Sequence, residues 1–312
     1  MRKSNKGHNA GVTALLQQLG EGRDCLEKAM ALLENLSLKS EIPGISAEDI
    51  EYTLDGSVLI LRRTNTAQQQ RPAGAPRIIA ENGKTRLALG IAEKMAQGDE
   101  NVIIQGETGT GKDLFARYIH LVGSRSVEPF VWCPCGTGFG IRQLEDTFQQ
   151  VGHGTLLLDD VNDLESSGQG ELLKILTASS GRREFRIIST TSCELDALAS
   201  KGQFSDALLD LLRGCFVELP ALRDRKEDII PLARHHLPLL CQKNKLPAKQ
   251  MSPEYLQLCE LYPWPGNVRE LINVLEQSLY TAGDKKTLFG RDLPTHVRIQ
   301  TAKGAAQRKK GL

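Results

Sequence analysis

The stretch Gly106-Glu-Thr-Gly-Thr-Gly-Lys112-Asp113 constrains this chain more than any other. It follows an apolar run, Asn101-Val-Ile-Ile-Gln105, and precedes a helical pattern, Leu114-Phe-Ala-Arg-Tyr-Ile-His120. Strand, glycine-rich turn and helix start, in that order, form a phosphate cradle. The glycines let the backbone curl so that several N–H groups converge on one anion. The helix start adds unpaired N–H groups and the positive end of its dipole. Lys112 is then placed to reach β- and γ-phosphates, as in the G-x-x-x-x-G-K part of the P-loop pattern. Asp113 departs from that pattern, standing where Ser or Thr normally offers a hydroxyl to Mg²⁺. The candidate phosphate-binding residues are Gly106, Glu107, Thr108, Gly109, Thr110, Gly111, Lys112 and Asp113.

With 312 residues, the chain is long enough for two or three domains. Its 39 basic residues balance 38 acidic ones, so the overall charge does not announce a nucleic-acid partner. No apolar run approaches the roughly 20 residues that span a membrane, and no secretory h-region follows the basic start. Seven scattered cysteines read as reduced cytoplasmic thiols. Cys133-Pro-Cys135 is the one close pair, and His235 and His236 are expected to diverge on a helix, so no metal site is expected from them.

From Val12 to Leu38 apolar residues recur at helical spacing, broken at Gly20-Glu-Gly22. These two helices are either a hairpin packed on the main domain or a partner-binding face. Glu51 to Arg62 suggests a β-hairpin around Asp55-Gly56, completing an N-terminal segment over 1–62. Residues 63–77 read as a linker. From 78 to 220 strands alternate with helices: helix Lys84–Gln97, strand 102–105, helix 113–121, strand Phe130–Cys133, helix Arg142–Gln150, strand Thr155–Asp159, helix Gly168–Leu176, strand Phe185–Thr190 and helix Phe204–Leu212. Such alternation implies a parallel sheet covered on both faces. Leu156-Leu-Leu-Asp159-Asp160 is a central strand ending in two carboxylates at the edge where ligands bind. Asp159 would hold Mg²⁺, and Asp160 would orient and deprotonate an attacking water. Residues 221–283 read as a helical unit with helices Lys226–Cys241, Ser252–Leu261 and one beginning at Asn267. Asn267 is expected to cap that helix, with Glu270 completing a capping box. Arg269, in its first turn, is either aimed at a nucleotide or solvated. Residues 284–312 form a basic tail without a helix-turn-helix pattern, either touching nucleic acid or solvated.

Four motifs in order, GETGTGKDLFARYIH (106–120), GTLLLDD (154–160), LPALRDRKEDI (219–229) and YPWPGNVREL (262–271), resemble the AAA+ domain of bacterial enhancer-binding proteins, the activators of sigma-54 RNA polymerase. The resemblance covers roughly 78–283 and implies an α/β P-loop AAA+ domain, a parallel sheet flanked by helices, followed by a small all-helical lid. It also implies a Walker A lysine at Lys112, Walker B carboxylates at Asp159 and Asp160, a sensor I position at Ser192, a sensor II arginine at Arg269, and rings binding ATP with Mg²⁺ at subunit interfaces.

The chain departs from that family at defined positions. No GAFTGA loop is present; Gly136-Thr-Gly-Phe-Gly140 is at best a remnant. The stretch from Leu176 to Arg186 looks shortened. Ser205 and Leu211 occupy the positions of two arginines that reach a neighbour's γ-phosphate, and Arg213 is out of register. Ser192 replaces the sensor I asparagine, Asp160 the catalytic glutamate, and Pro134 the asparagine that switches it. These departures predict an ATP-binding regulator of transcription with weak or no hydrolysis, working through protein contacts. An active ATPase driving sigma-54-dependent transcription and a nucleotide-stabilised scaffold are the other two readings.

Overall fold

The computed structural model describes residues 76–136, 150–177 and 185–303, and the backbone of 50–55, 58–63, 178 and 304–310. The expected N-terminal helices, most of the glycine-rich remnant after Gly136, and nearly all of helix 142–150 lie outside them. The chain divides into two compact units, 1–71 and 72–312. In the first, β1 (Ile50–Asp55) and β2 (Val58–Arg63) pair antiparallel, as expected for a hairpin.

The second unit opens with α1 (Gly83–Ala96), β3 (Val102–Gln105), α2 (Lys112–Val122) and β4 (Phe130–Pro134). It continues with β5 (Thr155–Asp159), α3 (Ser166–Ala178), β6 (Arg186–Thr191), α4 (Leu195–Ser200), α5 (Asp206–Leu212) and β7 (Cys215–Glu218). The five strands form one parallel sheet in the order β4-β5-β6-β3-β7. Because both faces are covered, the central strands are apolar throughout rather than alternating: Leu156, Leu157 and Leu158 are all fully buried. Alternate residues feed two cores. Leu156, Leu158 and Ile187 pack with α3 and α5, while Leu157, Ile104 and Ile188 pack with α1 and α2. Strand order reverses beside β3, so the turn after β3 opens at a switch point where ligands bind such sheets.

The lid follows: α6 (Ile229–Lys243), β8 (Gln250–Met251), α7 (Pro253–Leu261), α8 (Asn267–Ala282), β9 (Thr287–Leu288) and α9 (Thr295–Lys310). The segment after Gly283 is therefore not a solvated tail. Leu288, Leu293 and Val297 are buried in the same core as Trp264, Leu271 and Leu275, and β9 pairs with β8. The apolar residues that hold α9 down are sparse, which is why a periodic reading passed over them.

Two imidazoles are withdrawn from water. His120 is buried with Nδ1 2.9 Å from Thr155 Oγ1. His236, on α6, is half-buried, and its ring neighbour His235 packs edge to face at 5.1 Å instead of diverging. Burial lowers both below the ordinary value of 6.5, aided by the charge of Arg186 at His120 and of His235 at His236. In the unfolded chain both protonate near pH 6.5, so below that pH the unfolded state binds more protons and stability falls. The melting temperature is therefore expected to be lower at pH 5.5 than at pH 7.5. A flat profile across that window contradicts the neutral, buried imidazoles.

Candidate functional site

The turn from Gly106 to Gly111 joins β3 to α2. Gly109 and Gly111 have φ of +80° and +103°, a region that only glycine enters without strain. Gly109 is doubly required, since a Cβ there would lie 2.4 Å from the carbonyl oxygen of Gly266 in the lid. Thr110 Oγ1 donates to Glu107 O at 2.7 Å and pins the turn. Lys112 opens α2 and is buried, with Nζ 3.1 Å from both Gly106 O and Asp160 Oδ1.

The two carboxylates are set by one hydroxyl. Thr190 Oγ1, fully buried at the end of β6, donates to Asp159 Oδ1 at 2.6 Å and accepts from Asp160 N at 2.8 Å. Asp160 has φ +53°, so the chain turns sharply as β5 ends. Asp159 Oδ2 accepts from the indole Nε1 of Trp132 on β4 at 3.1 Å. Lys112, Asp113, Asp159, Asp160 and Arg269 line one cavity of about 280 Å³, together with Arg117 and Trp132. A second, mostly apolar slot of about 210 Å³ borders the same turn at Gly111, lined by Ile78, Ile79, Leu232, His236 and Val268 among others.

The lid is bonded to the turn itself. Val268 N and Arg269 N donate to Gly109 O at 2.9 and 3.3 Å. Asn267 does not cap α8 with its side chain. It sits at φ +53° and is fully buried, Nδ2 donating to Glu107 Oε2 and Thr108 O and Oδ1 accepting from Leu222 N at 2.7 Å. Gly266 precedes the helix instead, and Glu270 reaches back to Gly266 N at 2.7 Å while Asn267 N donates to Trp264 O, so the expected capping box around Asn267 does not form. Glu107 is paired with Arg223, whose guanidinium holds that carboxyl below the usual range with help from Asn267. Its carboxylate thus belongs to the lid seam. Arg225, not singled out from sequence, is buried and donates from Nη2 to Thr110 O at 2.8 Å.

Other expected site residues are placed elsewhere. Ser192 does not line the cavity of Lys112. It borders a groove on the far side of Gly106 and Glu107, and its N–H donates to Asn162 Oδ1 at 2.9 Å. Ser205 is the N-cap of α5, its Oγ accepting from Leu208 N. Arg213, just past α5, is held by Asp196 and Asp210 at 2.6 and 3.1 Å. Pro134 lies opposite Asp159 in register and carries no side-chain donor. Cys133 and Cys135 are free, buried thiols, with burial pushing Cys133 up to about 11. Among the described residues no cluster of three or more His, Cys, Asp or Glu side chains could hold a metal, and no helix is long and apolar enough to cross a membrane.

Comparison with known proteins agrees with this architecture. Residues 84–222 match the family model of the sigma-54 interaction domain, and residues 223–310 match that of the AAA+ ATPase lid domain. The regulatory protein AtoC of Escherichia coli (strain K12) is 33% identical over 232 residues, 66% of this chain and 50% of that protein. The Sigma54-dependent transcriptional activator SfnR of Pseudomonas putida is 32% identical over 250 residues, 71% of this chain and 68% of that one. The chain thus spans about half to two thirds of these curated relatives. The crystal structure of NtrX from Brucella abortus in complex with ATP has the same fold, with a TM-score of 0.66 at 24% identity over 76% of this chain and 59% of that chain. The chain belongs to the family of AAA+ proteins that carry the sigma-54 interaction domain.

Proposed function

We propose that this protein binds ATP with Mg²⁺, hydrolyses it slowly or not at all, and acts on transcription through contacts with another protein. The observation that carries the reading is the cavity itself. A glycine cradle, the ammonium of Lys112, two carboxylates and Arg269 converge there, with an apolar slot beside it. Phosphates would lie on the turn Gly106–Gly111, with Lys112 on the β- and γ-phosphates and Arg269 above them. A base would enter between Ile78, Ile79, Leu232 and Val268. The donor set admits a hydrated Mg²⁺ through the second lone pair of each Asp159 oxygen, the first being taken by Thr190 and Trp132, and Asp113 faces the same cavity. Held by Asp159, with Asp113 nearby, Mg²⁺ would offset the negative charge of the phosphates.

Slow turnover follows from what the chain does not present. An arginine acting on the γ-phosphate is worth about 10³–10⁵ in rate. Ser205 and Leu211 carry no charge, and Arg213 is already held by two carboxylates. Asp160 is one methylene shorter than a glutamate, and a small displacement of a catalytic group costs about 10²-fold. Membership of the AAA+ family that carries the sigma-54 interaction domain supports a cytoplasmic role in transcription, in a ring with like or related AAA+ subunits.

A gain of function tests this directly. Adding Ser205→Arg and Leu211→Arg to Asp160→Glu is expected to raise steady-state ATP hydrolysis by about 10³-fold. Ser205→Arg also removes an N-cap, at about 1 kcal/mol. No gain from a folded triple variant would show that these positions do not limit turnover.

A further inference from the structure

We infer that Trp132 controls how strongly Mg²⁺ contributes to nucleotide binding, an inference that rests on the nucleotide reading above. Trp132 is a large apolar side chain left half exposed (53%) on an edge strand, a placement that burial alone does not explain. Its indole crosses to the neighbouring strand and donates to Asp159 Oδ2 at 3.1 Å, and it lines the cavity of Lys112 and Asp160. Asp159 Oδ1 is occupied by Thr190. The carboxylate that would hold the metal therefore has a protein donor on each oxygen. Each donor takes one lone pair of an oxygen that a hard cation would use, and the indole lines the cavity on that side.

The two donors differ in kind. Thr190 is fully buried and also holds Asp160 N, so it fixes both carboxylates in place. Trp132 makes no other hydrogen bond among the described residues and is half exposed. The indole is thus the removable donor, and Mg²⁺ gains full access to Asp159 only when it leaves. Nucleotide alone, held by the cradle and Lys112, does not require that displacement. In the unsubstituted protein the metal therefore adds little to nucleotide affinity.

The full chain with a non-hydrolysable ATP analogue, titrated in Mg²⁺ and in EDTA, is the test. The unsubstituted protein is expected to bind less than about threefold more tightly with Mg²⁺. Trp132→Phe keeps the ring and removes the donor, and its Mg²⁺ enhancement is expected to be about tenfold larger, the effect of one hydrogen bond to a charged group. Tryptophan emission gives a second readout. The chain has two tryptophans, and Trp264 is fully buried in the lid. Emission is expected to shift when Mg²⁺ is added to the nucleotide complex, and Trp132→Phe to abolish the shift. Equal Mg²⁺ enhancement in both proteins, with no emission change, overturns the role of Trp132 while leaving the nucleotide reading intact. No analogue binding by either protein overturns both.

Discussion

Lys112→Ala is expected to weaken ATP binding by about 10²-fold or more. Truncating one partner of a buried charged contact costs about 2–5 kcal/mol, and Lys112 is 6% exposed. Its ammonium stands between Gly106 O and Asp160, so its removal does more than delete one phosphate partner. It leaves the Asp160 carboxylate facing the incoming phosphates with no cation between them. Lost attraction and new repulsion act in the same direction. Titration with a fluorescent ATP analogue reads the change, and unaltered affinity would show that phosphates do not lie on this turn.

Asp228→Ala is expected to cost about 3–5 kcal/mol of stability, a fall of about 10 °C in melting temperature for a unit of this size. Asp228 is fully buried where the lid begins. Its Oδ1 accepts from Glu81 N and Asn82 N at 2.6 and 2.8 Å, and its Oδ2 from Thr85 Oγ1 at 2.6 Å. Arg225, also buried, stands 4.0 Å away. Alanine leaves two N–H groups and a hydroxyl without an acceptor and a buried guanidinium without its counter-charge. Asp228→Asn keeps acceptor capacity at one oxygen and is expected to lose less. Thermal unfolding followed by circular dichroism decides it; a shift under about 2 °C for the alanine variant would contradict this account of the seam.

The cradle was legible because its chemistry is local. Glycines at fixed spacing between a strand and a helix have few structural uses, and Asp159 with Asp160 ends a continuous apolar strand. The seam between sheet and lid was not legible, because its bonds join distant residues. Asn267 meets Glu107 across 160 positions, and Asp228 meets Glu81 across 147. Asn267 looked like a cap because Asn at a helix start usually satisfies its own helix; here a positive φ places it against the turn instead. Trp132 was passed over for a related reason. Its partner Asp159 lies on the adjacent strand, and only the pairing of β4 with β5 brings them together. Only the resemblance points to Ser192 as a site residue, and the end of β6 sets it on the other side of the turn.

The central claim is tested most directly by measuring ATP binding and steady-state hydrolysis on one preparation of the full chain, with Lys112→Ala as control. Binding that Lys112→Ala abolishes, with turnover far below the typical 1–10³ s⁻¹ of enzymes, is the expected result. Brisk turnover, also abolished by Lys112→Ala, would contradict it and mean that an arginine reaches the γ-phosphate from outside the positions considered.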